Sequence, residues 1–551
     1  MPTININKQV FESLVGKKLP IEKLKDRISY LGTDLESVSK AEIMVEIFPN
    51  RPDMLSVQGF SRAFSSFIGV KKGLRNYKVE DSKEKVIIDK SVSKVRPYTA
   101  CAIVKDIKYD DEKIKEVIDV QEKLHITYGR NRRKVAIGIY PFEKIKPPIR
   151  FMAKKPEEII FQPLEFSRKI NGKQILSQHP AGRDYGHLLE GLDKFPIFID
   201  VNNEILSMPP IINSHKTGKI TQKTKDVFIE CSGFDFRVLQ KCLNMVVTAF
   251  ADMGGKICSM RLQYPNKTFI TPDLKPEEMK IDIKYINKLL GLNLKESQLK
   301  KLLERMGFSY RNKKVLIPAY RADIIHQSDI AEDIAIAYGY ENFEAIIPKV
   351  ATIAQEDKFE IFKNKIADIL IGLNLIETFT YNVTNKEFQN KNMLTNLPLI
   401  EIVNSISKEY NILRSWVIPS LLEILKNNKH HEYPQRIFTI GSIFKIDNKE
   451  ETNIEENERL AVAIADEKTD YTEIKQILDY LLRMLNANYD IEETEHPSFI
   501  PGRVARIKVN DEKVAYIGEI SPKILSKWEL EMPVTALELN LTELFKIMNK
   551  L

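Results

Sequence analysis

The sequence predicts an α+β protein of several domains, and three observations carry that expectation. A chain of 551 residues with 43% apolar content can bury more than one core, and roughly 150 residues per domain divides it into three or four. Strand patterns of period two and helical stripes follow one another in mixed order along the whole length. The residues from Pro318 to Tyr340 then set four carboxylates, Asp323, Asp329, Glu332 and Asp333, beside a strong apolar stripe.

Residues 1–85 read as a small unit of strands and helices. A strand over Thr3 to Ile6, a helix carrying Ile21, Leu24, Ile28 and Leu31 and a strand over Glu42 to Phe48 lead to Asn50-Arg51-Pro52-Asp53. That tetrapeptide has turn composition and is read as structural. Val57, Phe60, Ala63, Phe64 and Phe67 follow at helical spacing. The glycine-free, charged stretch from Val79 to Lys94 reads as a connector into a second region, 90–265. There the basic run Arg130, Arg132, Arg133 and Lys134 precedes a strand from Val135 to Tyr140. Such a run can hold phosphates, and a solvated surface loop is the competing reading.

Within that region, a strand from Ile197 to Asp200 turns through Asn202-Asn203 into Glu204 to Met208. A second strand, Val227 to Ser232, places Phe228, Glu230 and Ser232 on one face and Ile229 and Cys231 on the other. An acid and a hydroxyl on an otherwise apolar strand are costly as core, about 1–3 kcal/mol each without partners, and a pocket face explains them better. A long helix with Leu239, Cys242, Leu243, Val246, Val247 and Phe250 ends at Gly254-Gly255.

A third region, 270–346, has two short helices, the second with Leu299, Leu302, Leu303 and Met306 before Gly307. The helix from Asp329 carries Ile330, Ile334, Ala337 and Tyr338 on an apolar face, which puts Asp329, Glu332 and Asp333 on the opposite one. Asp323 arrives from the preceding loop. Clustered carboxylates repel and ask for a compensating cation, and an all-oxygen set favours Mg²⁺ or Ca²⁺ over zinc. The competing reading is an acidic first turn that complements the helix dipole. From about 347 the pattern changes again, with a helix carrying Phe359, Phe362, Ile366, Ile369 and Leu370 and a strand from Ile376 to Tyr381.

Lys+Arg 83 against Asp+Glu 76 leaves +7, which permits a polyanionic partner such as RNA without demanding one. Cys101, Cys231, Cys242 and Cys258 form no C-x-x-C pair and are too sparse for a disulfide framework, which suits a reducing compartment. No apolar run approaches the ~18 residues of a membrane helix, and the N-terminus lacks a signal-peptide core. A cytoplasmic protein without membrane contact is expected.

Pro318-x-x-Arg321-x-Asp323, then Asp329, then Glu332-Asp333, then Tyr338-Gly339-Tyr340 resembles the magnesium-binding element of the phenylalanyl-tRNA synthetase beta-subunit family. The resemblance implies that Asp323, Asp329, Glu332 and Asp333 are Mg²⁺ ligands, Asp333 standing where the family usually has Glu. Asn50-Arg51-Pro52-Asp53-x-Leu55-Ser56 is similar to an element of that family's N-terminal domain. Ser207-x-Pro209-Pro210-Ile211-Ile212-Asn213 resembles the editing domain of its archaeal and eukaryotic members. By position, Ser207, Glu230 and Ser232 then line an editing pocket and Phe198 forms an apolar wall. Asn404-Ser405-Ile406-Ser407, Leu413-Arg414-Ser415, Phe438-Thr439-Ile440-Gly441 and Pro501-Gly502-Arg503 follow in the order of the family's catalytic-like domain.

The resemblance therefore implies an N-terminal domain at 1–85, an editing domain at 90–265 and a winged-helix-like, metal-binding module with a nucleic-acid role at 270–346. Residues 347–551 would copy the antiparallel class II synthetase sheet without its catalytic motifs. Only Gly372, Gly441, Gly502 and Gly518 occur after residue 350, and no G-x-x-x-x-G-K-[ST] occurs anywhere, so ATP would be bound by a separate alpha subunit. The implied assembly is an α2β2 tetramer that joins phenylalanine to its tRNA and hydrolyses tyrosine wrongly joined to it. In that scheme Glu230, as a carboxylate, accepts a hydrogen bond from the tyrosine phenol, worth roughly 1.5–3 kcal/mol. Ser207 and Ser232 position the ester or water, no His, Cys or metal set in the stretch offering a stronger group. The alternative is a non-enzymatic RNA-binding or scaffold protein with the same architecture.

Overall fold

The computed structural model describes residues 2–347 and 354–549. The chain folds as two compact units, Met1–Ile347 and Pro348–Leu551. No helix among the described residues is long and apolar enough to cross a membrane, and all four cysteines are buried and free.

The first unit opens with β1 (Thr3–Asn7), β2 (Asp34–Val38) and β3 (Glu42–Glu46), an antiparallel sheet in the order β1-β3-β2. Asn7 ends β1 and caps the helix Lys8–Val15, its side chain accepting from the N–H groups of Gln9 and Val10, and Gly16 at φ 78° closes that helix. Phe60 and Phe64 of the helix Val57–Phe67 stack on Phe11 at centroid distances of 5.8 and 5.2 Å.

The large sheet takes β4 (Val79–Ile88), β5 (Tyr98–Lys105), β6 (Val135–Pro141) and β7 (Ile149–Lys154). After a two-stranded ribbon, β8 (Ile160–Phe161) with β9 (Ile170–Asn171), it adds β10 (Phe195–Ile199), β11 (Ile205–Met208) and β12 (Ile212–Asn213). It is completed by β13 (Val227–Gly233), β14 (Lys256–Gln263) and β15 (Thr268–Thr271). The order is β12-β11-β10-β7-β4-β14-β5-β13-β6, with β15 on β14. The Val79 to Lys94 connector is thus corrected to a strand, β4, and a short 3-10 turn over Lys90–Lys94. Its charges hide it because β4 pairs in parallel with β14 and β7 while keeping most side chains in solvent. Of its ten residues only Val86 and Ile88 are buried.

The alternation expected for β13 holds. Val227, Ile229 and Cys231 join the core under the helix Phe236–Asp252, and Phe228 joins the other core with Tyr140, Phe151 and Phe198.

Strands β16 (Glu277–Lys280), β17 (Ser309–Arg311) and β18 (Lys314–Ile317) form a third sheet, ordered β16-β18-β17, with helices Ile283–Leu290, Glu296–Arg305 and Gln327–Tyr338. The last is not the two-faced helix expected. Asp333 is buried with the apolar residues around it, and between Ile330 and Ala337 only Glu332 is exposed. Asp333 can be buried because Arg321, itself buried, meets it at 2.7 Å.

The second unit centres on a seven-stranded sheet in the order Ile376–Glu377, Gln435–Ile446, Ile454–Ala465, Val534–Asn540, Glu512–Ile520, Phe499–Val509, Asp490–Glu493. All pairs are antiparallel except the first. The strand expected to run from Ile376 to Tyr381 stops at Glu377, and Phe379 and Tyr381 beyond it are exposed. Ile454–Ala465 is buried on both faces near its end. Leu460, Val462 and Ile464 pack with the helices Lys358–Gly372 and Tyr471–Met484, and Ala461, Ala463 and Ala465 with the helix Ile418–Asn427. Arg414 and Gly441, from two of the motifs noted above, meet here: a Cβ on Gly441 would lie 2.2 Å from Arg414 Nη2.

The helix Ile418–Asn427 has no side-chain cap of its own. Glu538, buried on Val534–Asn540, supplies one from a distance, its Oε2 accepting from the N–H groups of Val417 at 2.8 Å and Ile418 at 3.0 Å. Glu538→Ala leaves these amides unpaired and should lower stability by about 1–3 kcal/mol. Both tryptophans of the chain, Trp416 and Trp528, lie in this unit, so tryptophan fluorescence in urea reads the expected fall in midpoint.

Candidate functional site

The two end strands of the large sheet, β12 and β6, approach each other without forming a ladder between them. Tyr140 on β6 bridges the gap. Its hydroxyl lies 2.8 Å from Ser207 Oγ on β11, 3.2 Å from Glu230 Oε1 on β13 and 3.3 Å from Asn213 Oδ1 on β12. A pocket of about 110 Å³ opens at this seam, lined by Ser207, Glu230, Asn213, Pro210, His125 and Arg132 among others. Gly138 makes the approach possible, since a Cβ there would lie 2.1 Å from the Tyr140 hydroxyl and 2.6 Å from Glu230 Oε1.

Glu230 is buried, and its Oε2 has no hydrogen-bond partner among the described residues. Burial drives its pKa up to about 8, against the partial relief given by the Arg96 charge and by the hydroxyls of Tyr140 and Ser232. Burial likewise brings Arg96 down to about 10, with Glu230 partly opposing. Near neutral pH the Glu230 carboxyl is therefore mostly the neutral acid.

The opposite wall is a charged cluster. Burial raises Glu122, but His125 and Arg132 outweigh it and hold the carboxylate down to about 2. Arg132 Nη2 donates to Glu122 Oε1 at 3.0 Å and Nη1 to the Ile211 carbonyl at 2.8 Å. Burial lowers the pKa of His125 despite Glu122. Its Nε2 accepts the Ile137 N–H at 2.8 Å, which fixes the neutral ring with its proton on Nδ1, 3.2 Å from Glu122 Oε1.

A second cleft, about 390 Å³, is lined by Asp323, Asp329, Glu332 and Asp333 together with Asn50 and Arg51. Arg321 grips both oxygens of Asp323, Nε to Oδ1 at 2.8 Å and Nη2 to Oδ2 at 2.7 Å, and bonds Asp333 as well. Asp329 Oδ2 accepts from the N–H groups of Ile325 and His326, both at 2.7 Å. Partial burial and then the charges of Asp333, Asp323 and Asp329 raise Glu332; burial raises Asp333 against the pull of Arg321 and Arg51.

Among the described residues no three His, Cys, Asp or Glu side chains are placed to hold a metal ion as they stand. The charge balance and donor chemistry still fit one. Four carboxylates line the cleft, Arg321 pairing with two of them from behind and Arg51 being spent on Asp53 through two bonds of 2.9 Å. That negative excess on oxygen donors is what a hard divalent cation offsets.

Residues 344–541 match the family model described as the phenylalanyl tRNA synthetase beta chain CLM domain, and residues 279–340 match the tRNA synthetase B5 domain. The phenylalanine–tRNA ligase beta subunit of Pyrococcus abyssi is 42% identical over 99% of this chain and 100% of its own. That of Archaeoglobus fulgidus is 36% identical over 99% of each. The chain belongs to the phenylalanine–tRNA ligase beta-subunit family. A crystal structure of an N-terminal fragment of the phenylalanyl-tRNA synthetase beta subunit from Pyrococcus horikoshii is similar at a TM-score of 0.59 and 39% identity, covering 61% of this chain and 99% of the fragment.

In this beta-subunit family chain the structure brings Ser207 and Glu230 together at the pocket and separates the other two expected residues from it. Ser232 lies on the same strand face as Glu230, but its Oγ accepts from Arg96 Nε at 3.1 Å, away from the lining. Phe198 is fully buried, stacked on Phe151 at 4.4 Å, and is core behind the pocket rather than its wall. Tyr140, His125, Glu122 and Arg132 were not foreseen. Tyr140 comes from β6, Glu122 and His125 from the helix Asp111–Ile126 and Arg132 from the turn after that helix, and only the closing of the sheet brings them to β11.

The raised pKa of Glu230 makes folding pH-dependent. Below its ordinary value of 4.5 the group is protonated folded and unfolded and contributes no difference. Between there and about 8 the unfolded chain ionises while the folded one holds its proton, so stability falls as pH rises, by up to 1.36 kcal/mol per unit. Glu230→Gln should escape that loss: its stability relative to the parent rises from acid pH to pH 8 by an amount on the order of a few kcal/mol, then levels off. Urea unfolding of both proteins from pH 4.5 to 9 measures it.

Proposed function

We propose that the chain works as the beta subunit of phenylalanine–tRNA ligase, supporting ATP-dependent attachment of phenylalanine to its tRNA together with an alpha subunit, in an α2β2 tetramer, and hydrolysing tyrosine mischarged to that tRNA. The observation that carries the reading is likeness at 42% identity over 99% of the chain and 100% of a curated beta subunit. Residues 90–265 act as the editing domain, 270–346 as a winged-helix-like module and 347–551 as a class II-like sheet domain without catalysis. In the last, Arg414 spends its guanidinium on the Ser442 carbonyl, Thr380 Oγ1 and Asn382 Oδ1 at 2.6–2.8 Å. That supports a structural arginine rather than one that binds phosphates. Phe379, Val403 and Ile406, more than four-fifths exposed beside its small sheet, suit coverage by a partner subunit.

An apolar pocket for phenylalanine rejects an analogue that only adds a hydroxyl weakly, about a hundredfold in comparable cases, so a second site that rewards the hydroxyl is required for accuracy. Glu230 suits that role through Oε2, the unpaired oxygen, while Tyr140 holds Oε1 and Ser207. Water adds to the tyrosyl carbonyl, the ester C–O bond to the ribose breaks, and tyrosine and the free tRNA hydroxyl leave. Ser207 and Asn213 orient the ester or the water, so hydrolysis rests on positioning. At the second cleft Asp323, Asp329, Glu332 and Asp333 would hold Mg²⁺, whose contribution is to neutralise their mutual repulsion.

Purified alone, the chain should show no phenylalanine-dependent ATP–pyrophosphate exchange, and adding the alpha subunit should restore it; exchange by this chain alone rejects the division of labour. In the reconstituted complex Glu230→Ala should slow tyrosyl-tRNA deacylation at least about tenfold, with phenylalanine charging as the control. An unchanged deacylation rate removes Glu230 from the site.

For the metal, Mg²⁺ at 100 times its Kd should stabilise the parent by about 2.7 kcal/mol. The double variant Asp329→Ala, Glu332→Ala should lose this dependence in thermal unfolding. Equal Mg²⁺ shifts in both proteins would reject the assignment.

A further inference from the structure

The turn that supplies Arg132 to the pocket has a second face. Arg130, Asn131 and Arg132 sit consecutively at φ 48°, 52° and 64°, a left-handed run that side chains with a Cβ resist. Backbone bonds hold it: Asn131 N–H to the Ile126 carbonyl, Arg132 N–H to that of His125 and Lys134 N–H to that of Gly129. The result turns Arg132 inward to Glu122 and leaves Arg130, Arg133 and Lys134 exposed on a separate hollow of about 820 Å³. None of these three enters an ion pair among the described residues. Asp235, the one carboxylate lining the hollow, is spent on capping the helix Phe236–Asp252 through the N–H groups of Arg237 and Val238. Phe234 completes the floor and is 55% exposed.

Arg96 lies between this hollow and β13, the strand that carries Glu230. Its guanidinium lies 5.5 Å from the Phe234 ring centroid, its Nε bonds Ser232 Oγ and its Nη2 bonds the carbonyls of Ser232 and Arg132. A solvated surface loop accounts for three exposed cations, but not for a strained turn that gathers them around an exposed aromatic ring while sending Arg132 into a pocket on its other side. Unpaired cations beside a half-exposed aromatic ring are what a single-stranded polynucleotide uses, phosphates on the first and a base stacked on the second.

We propose that this hollow binds the single-stranded 3′ end of the tRNA whose terminal ester enters the adjoining pocket. Arg130, Arg133 and Lys134 contact its phosphates and Phe234 stacks on a base. The identity of the strand rests on the editing reading above; the binding of a single strand does not.

The test uses the full chain with its alpha subunit and a short fluorescent single-stranded oligoribonucleotide, followed by anisotropy at several salt concentrations. The triple variant Arg130→Ala, Arg133→Ala, Lys134→Ala should bind at least about tenfold more weakly at low salt. Its log K against log salt slope should be shallower by about 2, at roughly 0.7 per phosphate contact. Phe234→Ala should bind about tenfold more weakly at every salt with the slope unchanged, and Phe234→Tyr should restore binding. The same triple variant should raise KM for tyrosyl-tRNA deacylation with kcat within about twofold. Parent-like affinity and slope in the triple variant overturn the proposal. A parent complex that fails to deacylate tyrosyl-tRNA refutes the editing reading instead, and the anisotropy comparison still decides the hollow.

Discussion

A twisted sheet with as many strands as this one curls, because neighbouring strands rotate by about 20–25° each, and its two unpaired ends then face each other. Here the ends are joined through side chains. The Tyr140 hydroxyl reaches Ser207 and Asn213 across the gap, and Arg132 bonds the Ile211 carbonyl beyond β11. A backbone ladder would have sealed the seam and left no cavity; a side-chain closure leaves one, with the polar ends of the bridging groups turned into it. The pocket and the stability of this sheet are thus set by the same contact. Gly138 is the point where both would fail together, since the tyrosine and the glutamate share the space that any other side chain would take.

Ionic burial plays the matching part at the other cleft. Arg51 and Asp53, in the turn read from sequence as structural, are almost fully buried and paired bidentately, and Arg321 with Asp323 and Asp333 repeats the arrangement beside them. Arg62 joins Tyr77 and Asp252 at 2.8 and 2.7 Å a short way off. Desolvating that many charges gains little net stability. What such pairs do supply is register, because removing one member strands its partner in a medium that cannot solvate it, at about 3–5 kcal/mol. The two buried ion-pair groups lie side by side, and the cleft is lined by residues from both, Asn50 and Arg51 of the turn and the four carboxylates of the module.

Much of this was legible from sequence, and the gaps have physical causes. Periodicity located β13, the helix Phe236–Asp252 and the faces of both, because burial there is decided by alternation along one strand or helix. Glu230 was singled out by that alternation and Ser207 by the resemblance of the Ser207 to Asn213 run, and the structure places both on one pocket. The strand β4 was missed because its charged side chains point to solvent while its backbone does the pairing, and backbone pairing writes no pattern into side chains. His125, Glu122 and Tyr140 were missed because they reach the pocket only through sheet closure, a contact between chain segments 67 residues apart at Tyr140 and Ser207. Phe198 was misplaced by a subtler effect. It does pair with Ser207 in register, so the face was right, but at that point the curled sheet has filled its interior and the wall has become core. The basic run at Arg130 to Lys134 divides between two faces, which no reading of composition could separate: Arg132 is a structural ion pair, and its neighbours are not.

The protonation of Glu230 changes the physics of the discrimination proposed for the pocket. Read from sequence, the group is a carboxylate whose attraction for a phenol is charge-assisted. In the folded chain it is mostly neutral below pH 8, and a bond between neutral groups nets only about 0.5–1.5 kcal/mol. Selectivity then comes from a different source. Oε2 has no partner among the described residues, so an apolar ring that shut it away from water would leave it unpaired at a cost of about 1–3 kcal/mol. A phenol that reaches Oε2 avoids that penalty, and a phenyl ring incurs it. The ratio that follows is about 5- to 150-fold, comparable to what the carboxylate would give. It is obtained without burying a net charge when the wrong ring enters.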